Sequence, residues 1–341
     1  MKEKTRQTAG NVVAVFVGLL AALLLVEIIL RLTGFEANYY PSRVQFGWPD
    51  PVAIKRLYQT DPELLWVPKG YAAQVRTLAD SRPSLVFLGC SCTQFGAYDR
   101  FLNELIDLYY PDNAFASVNL GVGGWSTYQG CRQFQRDVVA MKPRVVTVYY
   151  GWNDHWCTFG LEDKQIGSFR LRQSALSALA FDHSRLVQLL YKTIRSGRIP
   201  EKTATPRVSL TDFRDNLKEI IRAARENDVV PVLVTAPSAH FPGEEPAYLA
   251  ERWLQDVSTL IPVHETYVRA VRDVAREEKA DLVDLYRLFG DLPEETRRES
   301  FQTDGIHLTT AGSKRTARFL FDYFEQTGLI TTLVSTRPGE N

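Results

Sequence analysis

The chain has 341 residues, of which 45% are hydrophobic and 23% charged, as is ordinary for a globular protein. Its 40 basic and 40 acidic residues cancel, and no basic stripe with interleaved aromatic residues stands out, which argues against a nucleic-acid partner. The four cysteines, at positions 90, 92, 131 and 157, lack the paired spacing of a zinc site. Buried free thiols and, in an oxidising compartment, one or two disulfides both remain open.

An apolar segment near the N-terminus predicts a membrane-spanning helix. Residues 12–30 are apolar apart from one glycine and Glu27, and this is about the length that crosses a bilayer. Glu27 and Arg31 have the i, i+4 spacing of an ion pair. Three basic residues precede the segment, so the positive-inside rule predicts a cytoplasmic N-terminus at residues 1–10 and a single-pass helix at residues 11–32.

The rest of the chain is then expected outside the cytoplasm, in a periplasmic or extracellular location. A cleaved signal peptide is the alternative, although no small-x-small cleavage site follows the segment. A buried core helix is disfavoured because the segment is apolar on all sides.

Residues 33–80 are rich in aromatic residues and prolines and predict an irregular juxtamembrane connector, with a short ribbon at 64–75. Beyond them, short apolar runs alternate with stretches of helical periodicity. The apolar runs, typical of buried parallel strands, lie at 85–88, 116–120, 145–150, 230–235 and 281–285. The predicted helices lie at 100–109, 128–140, 210–226, 265–278 and 310–326.

This alternation predicts an α/β fold with a doubly wound, mainly parallel five-stranded sheet flanked by helices. In such sheets ligands bind at the carboxyl ends of the strands. We assign residues 81–328 to this domain and residues 329–341 to a tail. Residues 158–208 do not fit the alternation and are predicted to be an insertion with helices at 174–194.

Ser91 follows the first predicted strand, between Cys90 and Cys92. A turn from a strand into a helix exposes a serine hydroxyl, and the helix N-terminus adds backbone donors and a favourable dipole. Taken alone, a serine at a helix start is usually a cap.

Two further segments after strands carry groups that could stabilise an oxyanion. The second, at 119–126, contains a glycine cluster with Gly124, and the third, at 151–154, contains Asn153. Backbone N–H groups and a side-chain amide are suitable donors to a developing negative charge. The plainer interpretations are a tight turn and an Asx turn.

The fourth segment places Asp304 three residues before His307, just ahead of the last predicted helix. General-base catalysis needs an imidazole whose second nitrogen is held by a carboxylate. Two intervening residues allow one turn to present both side chains in the same direction.

The order of these four segments resembles the SGNH (GDSL-type) hydrolase family over residues 81–328. The resemblance implies a serine hydrolase that forms a covalent acyl-enzyme on Ser91 and cleaves esters or thioesters. It implies that His307 is the base and that Asp304 orients it. It requires no cofactor or metal.

The resemblance also implies an oxyanion hole made of the N–H groups of Ser91 and Gly124 and the side chain of Asn153. Gly123 is the alternative to Gly124 in a different register. The chain departs from the family where Cys90 replaces the aspartate of the usual Gly-Asp-Ser segment. This leaves Cys90 or its neighbour Cys92 as an alternative nucleophile.

The leading hypothesis is a membrane-anchored serine esterase acting on acylated carbohydrate or lipid of the cell envelope. An acyltransferase would use the same site, with a sugar hydroxyl replacing water. A non-catalytic, membrane-tethered binding module of the same fold is a second alternative. A metal-dependent phosphoesterase with Asp154 and His155 among its ligands is a third, although a two-metal site needs several more carboxylates and imidazoles.

Overall fold

The computed structural model describes residues 2–35, 57–158, 162–166, 180, 183–195 and 203–335. Its centre is a five-stranded parallel sheet with the strand order β4-β3-β5-β6-β7. These strands are β3 (Leu85–Gly89), β4 (Ser117–Asn119), β5 (Val145–Tyr149), β6 (Val230–Val234) and β7 (Asp281–Val283). The predicted fold class is confirmed.

Helices precede, connect and follow these strands. In chain order they are α1 (Lys2–Leu32), α2 (Tyr71–Ser81), α3 (Ser91–Gln94), α4 (Tyr98–Tyr109), α5 (Thr127–Gln133), α6 (Val139–Met141), α7 (Arg185–Arg195), α8 (Leu210–Glu226), α9 (Tyr248–Arg252), α10 (Leu260–Glu278), α11 (Leu285–Gly290), α12 (Glu294–Glu299), α13 (Thr310–Thr327) and α14 (Leu329–Val334). A π-helical turn at Phe134–Val138 joins α5 to α6, and a 3₁₀ turn at Val257–Thr259 leads into α10.

Strands β3 and β5 are buried along their whole length and are apolar except for Thr147 of β5, as expected for central strands covered on both faces. Their register pairs Gly89 with Tyr149, while Phe87 of β3 pairs with Asn119 of β4. The carboxyl ends of these three strands therefore meet at one edge of the sheet. The loops that follow them are brought together there.

Part of the predicted connector packs on this domain. A hairpin of β1 (Tyr58–Asp61) and β2 (Leu65–Pro68) lies earlier than the predicted ribbon, because the chain turns at Gly70 into α2. Trp66 of the hairpin is buried, and its carbonyl accepts the indole N–H of Trp125 at 3.2 Å. Residues 36–56 of the connector lie outside the described residues, and the predicted domain boundaries stay predictions.

The N-terminal helix α1 contains the segment Gly10–Leu32, which is long and apolar enough to cross a membrane and is not buried against the rest of the chain. Glu27 and Arg31 form the ion pair that their spacing predicts, at 2.8 Å. The Glu27 carboxylate also accepts the backbone N–H groups of Arg185 and Leu186, at 3.0 and 2.7 Å. Helix α1 thereby contacts α7, the described part of the helices predicted in the insertion; positions 174–179 lie outside the described residues.

Candidate active site

Ser91 is the first residue of α3, directly after β3 and Cys90. The turn is tight because it contains Gly89. A Cβ atom at Gly89 would lie 1.9 Å from the Thr93 hydroxyl and 2.8 Å from the Tyr149 carbonyl oxygen, so no larger residue fits. The sequence therefore presents Ser91 at the carboxyl edge of the sheet, where it is half-buried.

The three residues predicted as a catalytic triad lie in a hydrogen-bonded row. His307 Nε2 is 2.8 Å from Ser91 Oγ, and His307 Nδ1 is 2.5 Å from Asp304 Oδ2. The other carboxylate oxygen of Asp304 accepts the backbone N–H groups of Ile306 and His307, at 2.8 and 2.9 Å. One turn of chain thus fixes the carboxylate and the imidazole relative to each other.

Burial and pairing shift the pKa values of His307 and Asp304 in opposite directions. Burial alone would lower the pKa of His307, but the hydrogen bond and charge of Asp304 raise this pKa above its ordinary value. Burial alone would raise the pKa of Asp304, but the bonds from His307 and the Ile306 N–H hold this pKa below its ordinary value. The carboxylate therefore stays ionised where the imidazole is neutral and able to accept a proton.

His240 holds the turn that carries Asp304 and His307 through a hydrogen bond to its backbone. Its Nε2 donates to the Asp304 carbonyl oxygen at 2.8 Å, so its Nδ1 accepts from the Ser238 hydroxyl, also at 2.8 Å. Burial lowers the pKa of His240 and favours this neutral form. A Cβ atom at Gly305, whose φ is +68°, would lie 2.7 Å from His240 Nε2. This contact joins residues 64 positions apart, and no pattern in the sequence indicates it.

The predicted oxyanion-hole residues are also brought to this edge. Gly123 donates its N–H to the Gln94 side-chain oxygen at 2.7 Å. The N–H groups of Ser91 and Gly124 have no acceptor within the part of the chain that the structure describes. The Asn153 amide donates one hydrogen to the Trp125 carbonyl at 2.9 Å, which leaves its second hydrogen for a ligand.

A buried ion pair that the sequence did not predict contacts the same loop. The Arg207 guanidinium binds both carboxylate oxygens of Asp163, at 3.2 and 2.9 Å. Its remaining terminal nitrogen donates to the Gly124 carbonyl at 2.8 Å. Both residues come from the predicted insertion, and no motif links two residues this far apart in sequence.

The metal ligands considered from the sequence, Asp154 and His155, form hydrogen bonds to other protein groups. The Asp154 carboxylate accepts the N–H groups of Thr127 and Gly151, at 2.8 and 3.1 Å. Burial raises the pKa of Asp154 to about 6, against the lowering effect of the Thr127 hydrogen bonds. His155 Nε2 is 3.1 Å from His264 Nδ1, and both rings are buried.

A cavity of about 560 Å³ opens over Ser91 and the predicted oxyanion donors. Most of its lining is apolar, and three of its tryptophans form a stacked row. The Trp152 and Trp156 rings are 5.8 Å apart, as are those of Trp156 and Trp253. The described lining residues are Ser91, Phe95, Gly123, Gly124, Trp152, Asn153, Trp156, Tyr248, Leu249, Trp253, Gln302, Asp304, Ile306 and His307.

The four cysteines are buried thiols that form no disulfide, which is the first of the two states that the sequence left open. Cys90 and Cys92 are each 1% exposed and are not among the described residues that line the cavity. The Cys92 thiol instead contacts the Ile306 carbonyl, with 3.9 Å between sulfur and oxygen. These positions disfavour either thiol as the nucleophile.

Comparison with known proteins identifies the family. The sequence model of the GDSL-like lipase/acylhydrolase family matches residues 84–315, which is more than half of the chain. The chain belongs to this family. The resemblance stated from the four segments is confirmed, and this GDSL-family chain is a carboxylic ester hydrolase.

Individual relatives are distant. The chain is 23% identical over 209 residues to an uncharacterized lipoprotein, YqeF, of Bacillus subtilis, an alignment that covers 58% of this chain and 68% of the relative. A lipase/acylhydrolase from Enterococcus faecalis is similar at a TM-score of 0.47 and 16% identity, covering 72% of this chain and 96% of that one. The acetyl xylan esterase AlAXEase gives a TM-score of 0.46 and 17% identity, covering 70% and 98%.

Proposed function

We propose that this GDSL-family hydrolase is a membrane-anchored serine esterase with Ser91 as nucleophile, His307 as general base and Asp304 as the group that orients the imidazole. The observation that carries the proposal is the bonding of one imidazole to both partners. Its two nitrogens lie 2.8 Å from the Ser91 hydroxyl and 2.5 Å from the Asp304 carboxylate. This is the arrangement in which a serine hydroxyl loses its proton as it attacks.

In the acylation step, Ser91 Oγ forms a bond to the ester carbonyl carbon while its proton passes to His307 Nε2. The carbonyl oxygen becomes an oxyanion that accepts the N–H groups of Ser91 and Gly124 and the free amide hydrogen of Asn153. The unoccupied N–H of Gly124, in contrast to the engaged N–H of Gly123, supports this choice of donor. Collapse of the intermediate breaks the ester C–O bond, and His307 gives its proton to the leaving alcohol.

Deacylation repeats these steps with water as the nucleophile. His307 takes a proton from water as the water oxygen bonds to the acyl carbon, and the proton then returns to Ser91 as its oxygen leaves. The products are a carboxylic acid and the free enzyme. Asp304 keeps its charge throughout, because it stabilises the imidazolium without accepting the proton.

We propose acyl esters of cell-envelope carbohydrate or lipid as the substrates. The cavity of about 560 Å³ is within the range of small-molecule sites and is larger than an acetyl group requires. Of its described lining, only Asp304 and His307 belong to the charged or imidazole classes, and each is bonded to the other. The aromatic wall supports an uncharged acyl or sugar group against the tryptophan rings.

Hydrolysis of p-nitrophenyl esters of increasing chain length by the full chain in detergent tests the chemistry. Wild type is compared with Ser91→Ala, Cys90→Ser and Cys92→Ser, each with and without a chelator. We expect Ser91→Ala to abolish hydrolysis. It should also abolish the acyl adduct that mass spectrometry detects on the peptide containing position 91, whereas the cysteine variants retain both activity and adduct. Activity that survives Ser91→Ala and disappears in a cysteine variant would transfer the nucleophile to that thiol.

The same assay separates the remaining functions. Acyl transfer to an added sugar in preference to water would identify an acyltransferase. Loss of activity on adding the chelator would indicate a metal. The absence of turnover with every acyl donor and acceptor would favour a binding module.

We further propose that Gly10–Leu32 anchors the enzyme, with the N-terminus in the cytoplasm and the catalytic domain outside. The length and apolar character of this segment support an anchor and fit a signal sequence equally well. A reporter active only outside the cytoplasm, fused after residue 335, is expected to be active and to sediment with membranes. Recovery of a soluble chain that begins after the segment would show cleavage instead.

A further inference from the structure

The loop that carries Gly124 is joined to one buried ion pair at two points. The Arg207 guanidinium donates to the Gly124 carbonyl at 2.8 Å, and the Ser126 hydroxyl donates to the Asp163 carboxylate at 2.6 Å. Arg207 and Asp163 bind each other through two nitrogens and two oxygens. The pair therefore fixes the loop on both sides of Trp125.

The burial of this pair makes a purely stabilising role a weak explanation. The side chains of Arg207 and Asp163 are 2% and 0% exposed. Removing two charges from water costs about as much as their attraction returns, so apolar residues in the same space are often as stable. A planar guanidinium fork, in contrast, fixes direction as well as distance.

The direction matters because Gly124 has an unusual conformation. Its φ of +80° lies in the left-handed region, where glycine has no Cβ atom to oppose rotation. The Arg207 hydrogen bond holds its carbonyl oxygen, and this limits rotation of the residue whose N–H is unoccupied. The turn is also closed by the Trp125 N–H, which donates to the Val122 carbonyl at 3.2 Å, so the Arg207 bond adds a restraint on the side of Gly124 that this turn bond leaves open.

A further proposed oxyanion donor, the Asn153 amide, depends on the same loop. The Asn153 amide is oriented by the carbonyl of Trp125, which lies between the two attachment points of the ion pair. A displacement of the loop would therefore move Asn153 together with Gly124.

From these contacts we propose that Arg207 and Asp163 are positioning residues that hold the oxyanion loop in its productive geometry. The inference rests on the proposed serine esterase mechanism. Neither residue lines the described cavity, so both act through Gly124 and Asn153 without touching substrate. The insertion at 158–208 then supplies part of the catalytic geometry of the domain into which it is inserted.

The decisive experiment separates stability from catalysis in the full chain. Arg207→Met is expected to lower kcat by about 10- to 100-fold with little change in KM. The reason is that the misplaced donors would bind the oxyanion, which develops only in the transition state. Arg207→Lys is expected to recover part of this loss. The double variant Asp163→Leu/Arg207→Met is expected to regain the urea midpoint of unfolding, since no buried charge is left unpaired, but to remain slow.

Arg136→Met is the matched control. Arg136 is less buried than Arg207, with 28% of its side chain exposed, and it binds Asp61 of the hairpin and Asp137, each at 2.9 Å, with no hydrogen bond to the oxyanion loop among the described residues. We expect it to lower the urea midpoint without lowering kcat. The pH at which the acid limb of kcat falls is expected to stay the same in all these variants, because His307 and Asp304 are intact.

Recovery of kcat together with stability in the double variant would overturn the inference, as would an unchanged kcat in Arg207→Met. A rise in KM alone would also overturn it, because that result indicates a lost binding contact. Activity that persists in Ser91→Ala would instead overturn the proposed mechanism on which the inference rests.

Discussion

The Asp304–His307 pair and the Asp163–Arg207 pair are both hydrogen-bonded ion pairs, but they differ in their contact with solvent. The first is 2.5 Å long and its side chains are 21% and 28% exposed, while the second is 2.9 Å long and almost completely buried. An imidazole exchanges its proton near neutral pH, whereas a guanidinium keeps its charge. The partly exposed pair is suited to transferring protons, and the buried pair to fixing a loop.

This difference separates two requirements of the same reaction. Proton transfer needs a group whose pKa lies near the working pH and which reaches the substrate. Stabilisation of an oxyanion needs donors that do not move while charge develops. The two pairs occur in different parts of the chain, so they can be changed independently.

The largest effect is expected from Asp304→Asn, which leaves the shape of the first pair but removes its charge. We expect kcat to fall by about 10⁴-fold, as when a triad carboxylate loses its charge. In the wild type, activity should rise with pH as His307 loses its proton through its raised pKa. Without the carboxylate this pKa falls, so the acid limb of the kcat/KM profile should move to lower pH.

Asp163→Asn is the corresponding change in the buried pair. It should reduce kcat far less and should leave the acid limb where it is, because Asp163 has no bond to His307. A shift of the acid limb in Asp163→Asn would contradict the separation of the two roles.

A smaller effect, on folding, is expected from Asp163→Ala. Removing one partner leaves the Arg207 charge buried and unpaired, at a cost of about 3–5 kcal/mol in the free energy of unfolding. Urea denaturation followed by tryptophan fluorescence would measure this change. Asp304→Ala should destabilise the fold less, because His307 can become neutral. Equal losses in the two variants would show that burial does not distinguish the pairs.

Asn153→Ala tests the donor that the buried pair is proposed to position. Loss of one oxyanion donor typically lowers kcat by about 10²- to 10³-fold. We expect little change in KM for p-nitrophenyl esters. Asn113→Ala is the control, because it removes a surface amide that is bonded to Asp107 and Tyr110, and it should leave kcat unchanged. In the triple combination with Asp163→Leu/Arg207→Met the losses should be less than additive, because all three changes disable the same donors. Full additivity would mean that the ion pair acts elsewhere.

For the part of the candidate site that follows strands, the sequence predicted which residues lie close together. The apolar runs fixed the positions of the parallel strands, and parallel strands end at one edge, so Ser91, Gly124 and Asn153 had to converge there. Asp304 and His307 were found because a spacing of three residues places both in one turn. The choice between Gly123 and Gly124 could not be made in this way, because it depends on the bond from the Gly123 N–H to the side chain of Gln94, 29 residues earlier.

The buried pair could not be found in this way. Asp163 and Arg207 lie in a segment without the strand–helix alternation, and their contact joins positions 44 residues apart that no local pattern relates. A charged residue in a sequence is normally assigned to the surface, because few are fully buried. His240 was missed for a related reason: its bond to the Asp304 carbonyl is a long-range contact that no periodicity encodes.

The smallest effect is expected from an exposed ion pair, which shows how much pairing contributes to stability without burial. Arg287 and Asp291 are spaced i, i+4 and bond at 3.1 Å, but their side chains are 60% and 64% exposed. Water screens such a pair, so Arg287→Gln should change the free energy of unfolding by no more than about 0.5 kcal/mol and should leave kcat unaltered. Added salt should reduce even this difference, whereas it should hardly affect the loss caused by Asp163→Ala. If Arg287→Gln lowered the free energy of unfolding as much as Asp163→Ala does, burial would not be the reason for the larger loss. The contribution of each pair to stability would then come from the ion-pair contact alone.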